Sequence, residues 1–176
     1  MSQVVIILGS ESDLGIVKES KMLEVLDEIG VSWELSIISA HRNSEELQNY
    51  CMEKYKYPCR GRADKDKDAE VFIGVAGMAA ALPGVIASHV RCCPVIGVPL
   101  VSSDIPSGLD ALYSMVRMPA GVPVAVPGIG KPGLYNAALL ACQIIALNSK
   151  KPEKICGALL MICRVNQLSS LLNHLV

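Results

Sequence analysis

Aromatic side chains are scarce in this chain, with one Trp, one Phe and five Tyr among 176 residues. A core built without large rings has to rely on close packing of Ala, Val, Leu, Ile and Gly. Neither sign of charge is in excess. The formal net charge is −1, which removes the electrostatic argument for nucleic acid or an acidic membrane surface as a partner. No uninterrupted apolar run approaches the roughly 20 residues that a membrane-spanning helix needs, although 51% of the residues are hydrophobic. The opening stretch MSQVVIILGS has no basic region before its apolar run and no small-residue cleavage site after it, so a cytoplasmic protein is expected. Any anion bound here must be held by a local group of side chains and backbone N–H groups.

Metal-binding and nucleophile signatures are also missing. The cysteines Cys51, Cys59, Cys92, Cys93, Cys142, Cys156 and Cys163 form no C-x-x-C pair and have no neighbouring histidine at zinc-ligand spacing. Most of them read as small buried hydrophobes. P-loop, G-x-S-x-G and H-E-x-x-H patterns are absent. The sequence GIGKPG (128–133) matches G-x-G-x-x-G in form, but it follows the last strand-like run instead of opening a βαβ unit, and Pro132 removes a donor where a phosphate would sit. It is set aside as a dinucleotide site.

What is present is an alternation of strand-like and helix-like segments. VVIIL (4–8) is apolar at every position, which suits a strand covered on both faces. After the turn GSESD, a helix is expected from Ser12, with Met22, Val25, Leu26 and Ile29 on one face and Gly30 as its stop. WELSII, VFIGV, PVIGV and VPVAV read as four further strands. The connecting helices are expected from Asn43 to about Tyr55, from near Leu82, through Leu109, Leu112, Met115 and Val116, and over NAALLACQIIAL. Asn43 with Glu46 resembles a capping box. The charge run RGRADKDKDAE (60–70) reads as a solvated loop.

Buried strands alternating with helices predict a three-layer, doubly wound parallel α/β sheet of the Rossmann or flavodoxin-like kind. Residues 1–150 then form a single α/β domain. Residues 151–176 form a C-terminal helical extension, too apolar all round for a lone surface helix and expected to pack on a neighbouring subunit.

In such sheets the ligand crevice lies outside the carboxyl ends of the strands. GSESD, SAHR, AGMAAALPG and PLVSSD all fall at strand exits and are expected to converge there. Gly9 permits a tight turn, and Ser10 and Ser12 offer hydroxyls and free N–H groups at the start of a helix, which suits an anion; either Ser12 or Asp13 also reads as a plain N-cap. The Asp13 carboxylate suits ribose hydroxyls better than phosphate, so a phosphorylated sugar would satisfy the group. Arg42 can fork two hydrogen bonds onto phosphate oxygens or serve as a surface arginine. His41 carries an imidazole, which gives and takes a proton near neutral pH; His89 and His174 lie on expected helices as packing or solvent-facing residues.

Taken in order, GSESD, SAHR, AGMAAALPG, PVIGVP, LDALYSMVRMPAGVPVA and NAALLA resemble the purine-biosynthetic family of N5-carboxyaminoimidazole ribonucleotide mutase and aminoimidazole ribonucleotide carboxylase, over about residues 4–148. The resemblance implies transfer of a carboxylate to C4 of an aminoimidazole ribonucleotide, with CO2 released and recaptured in a closed site and with no metal or organic cofactor. It implies His41 as general acid/base. Ser10, Asp13 and Arg42 would bind the ribose phosphate, with Ser12 beside them, and Ser39, Ala76, Gly77, Ala81 and Leu82 would line the substrate site. It further implies a homo-oligomer, commonly an octamer, whose partners are the small-molecule ribonucleotide and CO2, with no nucleic acid and no membrane.

Three departures stand out. Met78 replaces the second glycine of the mutase pattern A-G-G-A-A-H-L-P-G, Ala81 replaces its histidine, and the loop from 57 to 70 is longer than usual. The loss of the second imidazole keeps open direct carboxylation by CO2, although such carboxylases tend to carry lysine where Arg42 stands. A non-catalytic nucleotide-binding paralogue is a further alternative. The altered AGM…ALPGV also resembles a pyridinium dinucleotide carboxylase that relies on a cysteine, against which SAHR argues.

Overall fold

The computed structural model describes residues 2–55 and 69–173, with side chains described as far as Ile162. Most of the charged loop, Cys59, His174 and the side chain of Cys163 lie outside the described residues.

Four parallel strands form one sheet: β1 (Val4–Leu8), β2 (Trp33–Ile37), β3 (Val71–Ala76) and β4 (Val95–Pro99), in the order β2-β1-β3-β4. All five residues of β1 are buried, because the strand has a neighbour on each side and helices over both faces. Its side chains alternate as a strand requires. Val4, Ile6 and Leu8 enter one apolar cluster with helices α1 (Leu14–Glu19), α2 (Met22–Ile29), α6 (Gly130–Asn148) and α7 (Pro152–Asn173). Val5 and Ile7 enter the other, with α3 (Ser44–Lys54), α4 (Leu82–His89) and α5 (Leu109–Val116). Each such side chain contributes about 1.5–3 kcal/mol on full burial. The result is the expected three-layer, doubly wound architecture, whose strand order reverses between β1 and β3.

β2 lies at one edge of the sheet and is only partly buried. Its outer end is fastened by polar contacts: Glu34 accepts from Tyr50 Oη at 2.6 Å, from Lys54 Nζ at 2.9 Å and from Ser2 Oγ at 3.2 Å, while Ser36 Oγ donates to Tyr50 Oη at 2.7 Å. Partial burial opposes ionisation of Glu34, but the hydrogen bonds and the lysine charge outweigh it and hold the carboxyl below its ordinary value. Burial, followed by the bond to Glu34, pushes the Tyr50 phenol up.

Three local expectations are corrected. The helix after β1 is interrupted: a 3-10 turn (Glu11–Asp13) leads into α1, and α2 starts anew after Lys21, whose φ is 61°. The buried Ser20 causes the break, donating to the Val17 carbonyl at 2.6 Å and accepting from Met22 N at 3.3 Å in place of helical backbone bonds. VPVAV forms no strand, only a bridge between Ile96 and Ala125. Pro123 and Pro127 bracket Ala125 and cannot donate to a ladder. At the start of α3, Asn43 Nδ2 donates to Glu46 Oε2 at 2.9 Å, and no side-chain cap of the backbone forms.

α7 has two sides over its described side chains. Ile155 and Leu159 are buried in the cluster shared with α2 and α6, whereas Leu160 is 62% and Met161 72% exposed. No helix is long and apolar enough to cross a membrane, among the described residues.

Candidate functional site

The crevice at the reversal of strand order is a cleft of about 750 Å³. Four strand exits wall it, and each is tied to its neighbour by the backbone. Gly9 N donates to the Val75 carbonyl at 2.9 Å, joining the exit of β1 to the end of β3. Ile38 N donates to the Leu8 carbonyl at 3.0 Å, and Leu100 N to the Ala76 carbonyl at 2.9 Å. The sheet therefore fixes the relative position of segments far apart in sequence.

On the β1 side, Ser10 caps the 3-10 turn: its Oγ accepts from Ser12 N at 3.3 Å and lies 2.8 Å from Ser12 Oγ. Ser12 Oγ is also 3.4 Å from Asp13 Oδ1, so its one hydrogen serves one acceptor at a time. Half-burial pushes the Asp13 carboxyl above its ordinary value, and the hydrogen bonds from Ser12 and Ser10 only partly reverse this. From β2, Ser39 to Asn43 form a turn closed by Asn43 N donating to the Ser39 carbonyl at 2.9 Å. Arg42 N and Nε each lie 3.4 Å from Ser39 Oγ, which directs the arginine stem along the cleft wall. His41 and Arg42 are both exposed.

The opposite wall comes from β3 and β4. Ala76, Gly77, Met78, Ala79, Ala80, Ala81 and Leu82 run along it, followed by Leu100 and Val101. Ala80 N donates to the Met78 carbonyl at 2.9 Å and Ala81 N to the Ala79 carbonyl at 2.6 Å, so the segment is tightly curled before α4 begins. Two glycines set how close α4 comes. Gly74 and Gly97 are paired across β3 and β4. A Cβ on Gly74 would meet Ile86 Cδ1 at 3.0 Å and Pro83 Cγ at 3.1 Å, and one on Gly97 would meet Pro83 Cβ at 3.2 Å. Their missing side chains let the start of α4, and with it Ala81 and Leu82, sit directly over the strands.

Met78 is the unusual member of this wall, with a left-handed φ of 55° and 58% of its surface exposed. That conformation costs a non-glycine residue about 1–2 kcal/mol. Full burial of a methionine contributes about 1.5–3 kcal/mol, so burial of less than half returns about 1 kcal/mol and does not clearly offset the strain. The glycine of the resembled pattern is the residue that this backbone prefers.

Every residue named from the sequence lines this one cleft: His41, Ser10, Ser12, Asp13, Ser39, Arg42, Ala76, Gly77, Ala81 and Leu82. Sequence reasoning missed Ile16 and did not name Ser102 and Ser103 individually, although it expected their PLVSSD exit to converge here; all three line the cleft. Ile16 follows Asp13 at helical spacing, which was a usable signal. Residues 128–133 are not part of the lining; Gly133 instead packs on the Gly128 backbone.

No cysteine lines the cleft among the described residues. Cys51 and Cys142 are buried, and burial pushes both thiols up to about 12. No group of three or more His, Cys, Asp and Glu could hold a metal ion among the described residues. A depression beside α3 is lined by Glu45, Glu46, Asn49, Tyr50 and Glu53, whose carboxylates would repel a phosphorylated ligand.

An arginine and serine hydroxyls facing an apolar wall, at the reversal point of a parallel sheet, make an α/β protein whose crevice suits a small phosphorylated ligand. The sequence model of one family, AIR carboxylase, matches residues 3–157. The chain belongs to that family. It is 44% identical over 153 residues to the N5-carboxyaminoimidazole ribonucleotide mutase of Pyrococcus abyssi, covering 87% of this chain and 78% of that protein. It is 43% identical to the protein of the same name from Pseudomonas aeruginosa, over 84% of this chain and 81% of that protein. Among solved structures it is similar to Treponema denticola PurE, with a TM-score of 0.72 and 28% identity over 96% of this chain and 93% of that one. A variant of Treponema denticola PurE2 gives a TM-score of 0.75 at 26% identity, over 97% and 94% of the two chains.

Proposed function

We propose that this chain carries out the reaction for which its relatives are named, converting N5-carboxyaminoimidazole ribonucleotide to 4-carboxy-5-aminoimidazole ribonucleotide in purine biosynthesis. One observation carries the reading: His41, Arg42 and the Ser10–Asp13 turn meet an apolar wall in a single cleft, in a chain of the AIR carboxylase family.

Ser10, Ser12 and Arg42 hold the ribose phosphate, and Asp13 accepts from the ribose hydroxyls. Ser39 and the Ala76 and Gly77 backbone line the site for the aminoimidazole ring. The bond between the exocyclic nitrogen and its carboxylate breaks, the electron pair stays on nitrogen, and protonated His41 supplies that nitrogen with a proton. The freed CO2 is held against Ala79, Ala80, Ala81 and Leu82, where small apolar residues leave room for it and exclude the water that would hydrate it. C4 of the ring then forms a bond to the CO2 carbon, and His41 takes the proton that C4 releases. One carboxylate and one proton have changed places, which is an isomerisation.

The protein acts in the cytoplasm as a homo-oligomer, an octamer, with residues 1–150 as the catalytic domain. The outer face of α7, where Leu160 and Met161 are exposed, packs on a neighbouring subunit. Ala81, standing where the mutase pattern has histidine, favours one second reading: direct carboxylation of aminoimidazole ribonucleotide by CO2.

Two parallel assays separate the readings, one with N5-carboxyaminoimidazole ribonucleotide and one with aminoimidazole ribonucleotide plus bicarbonate. Turnover in the first without added bicarbonate is expected. Turnover in the second alone replaces the mutase with the carboxylase, and turnover in neither removes the enzyme.

A further inference from the structure

Met78 is held in a strained, left-handed conformation while more than half of its surface stays exposed. It belongs to neither apolar cluster of the fold, its side chain is more than half exposed, and it lines the same cleft as His41 and Arg42. Its neighbours Ala79, Ala80 and Ala81 are all small. A long, flexible, apolar side chain thus stands beside a run of three alanines in the cleft wall. Strained backbone of this kind persists where the ligand-bound state gains from it, and a thioether adapts its shape to an aromatic ring.

Resting on the activity proposed above, we infer that Met78 is the cover of the CO2 site: it closes over the aminoimidazole ring and determines how much of the released carboxyl group reaches C4. The competing outcome is loss. The bond from nitrogen to the carboxylate breaks and nitrogen takes a proton, as before, but the CO2 leaves into water and the product is aminoimidazole ribonucleotide. A cover that displaces water from the ring edge slows that escape without touching the proton transfer.

The test supplies N5-carboxyaminoimidazole ribonucleotide to the full chain and to two variants, Met78→Gly and Met78→Leu. It measures the ratio of ring-carboxylated to decarboxylated product after subtraction of the loss in protein-free buffer, together with the melting midpoint and the mass in solution. Met78→Gly is expected to raise the decarboxylated share about 5- to 10-fold and to raise the melting midpoint, because glycine adopts the left-handed conformation without strain. Met78→Leu keeps the apolar volume and is expected to keep the parent ratio within about twofold.

An unchanged ratio in Met78→Gly, or a Met78→Leu variant that loses as much as Met78→Gly, overturns the inference. So does a Met78→Gly protein whose assembly mass changes, since Met78 would then serve a subunit contact. A parent protein that converts none of the substrate overturns the proposed function itself, and this inference with it.

Discussion

The two walls of the cleft are opposites. The exits of β1 and β2 bring Ser10, Ser12, Asp13, Ser39, His41 and Arg42, and the exits of β3 and β4 bring Ala76–Leu82, Leu100 and Val101 with serines only at the far end. One wall carries the ionisable side chains, and the other is mostly apolar, with hydroxyls only at Ser102 and Ser103. The difference teaches that polar and apolar surface are divided between the halves of a doubly wound sheet, with the reversal of strand order bringing them face to face; on the proposed function, recognition falls to one half and confinement to the other. It also predicts different signatures for damage on each side.

The largest effect belongs to the polar wall. His41→Asn is expected to lower carboxyl transfer by about 10²–10⁴-fold, the usual contribution of a positioned acid/base group, while ribonucleotide binding measured by calorimetry stays within a few-fold of the parent. Loss of binding instead would make His41 a ligand contact and erase the division of labour. Next comes Arg42→Ala. Loss of a charge-assisted bond to phosphate, worth about 1.5–3 kcal/mol, is expected to raise KM by about 10- to 100-fold with a smaller change in kcat.

Damage to the other wall should appear first as instability. Gly74→Ala places a methyl group within 3.0–3.2 Å of Ile86 and Pro83, an overpacking expected to cost about 1–3 kcal/mol. Urea unfolding with an unchanged m-value checks it. If activity falls while stability holds, α4 is a catalytic element and not a scaffold for Ala81 and Leu82.

The smallest effect has an unusual sign. Burial keeps the Asp13 carboxyl above its ordinary 3.8, so the folded protein binds that proton more tightly than the unfolded chain. Stability from this group is greatest below that value and falls as pH rises through the raised one. At neutral pH the ionised carboxylate therefore opposes folding slightly. Asp13→Asn is expected to melt slightly higher than the parent at neutral pH, to lose that advantage in acid, and to bind ribonucleotide more weakly. Equal melting at both pH values would show that Asp13 is solvated like a surface carboxylate.

Much of this site was legible in the chain because strand exits announce themselves. A run such as VVIIL followed at once by Gly9 and Ser10 marks both a buried strand and the place where its backbone opens, and SAHR does the same after β2. Local pattern was less reliable where a single residue redirected the chain. Ser20 breaks a segment expected to be one helix, within the polar stretch Lys18–Lys21 that already separates Val17 from Met22, and Pro123 and Pro127 reduce an apolar run to one bridge. β2 is only partly buried: WELSII alternates polar residues, as its place at the sheet edge allows.

The order of buried strands, the glycine and serine turns and the chemistry available at each exit were determined by the sequence alone, since they depend on periodicity and side-chain type. Which exits face one another, how closely α4 lies on Gly74 and Gly97, and the left-handed backbone of Met78 were decided only by the tertiary structure. These depend on contacts between residues far apart in the chain, and local preference carries no record of such contacts.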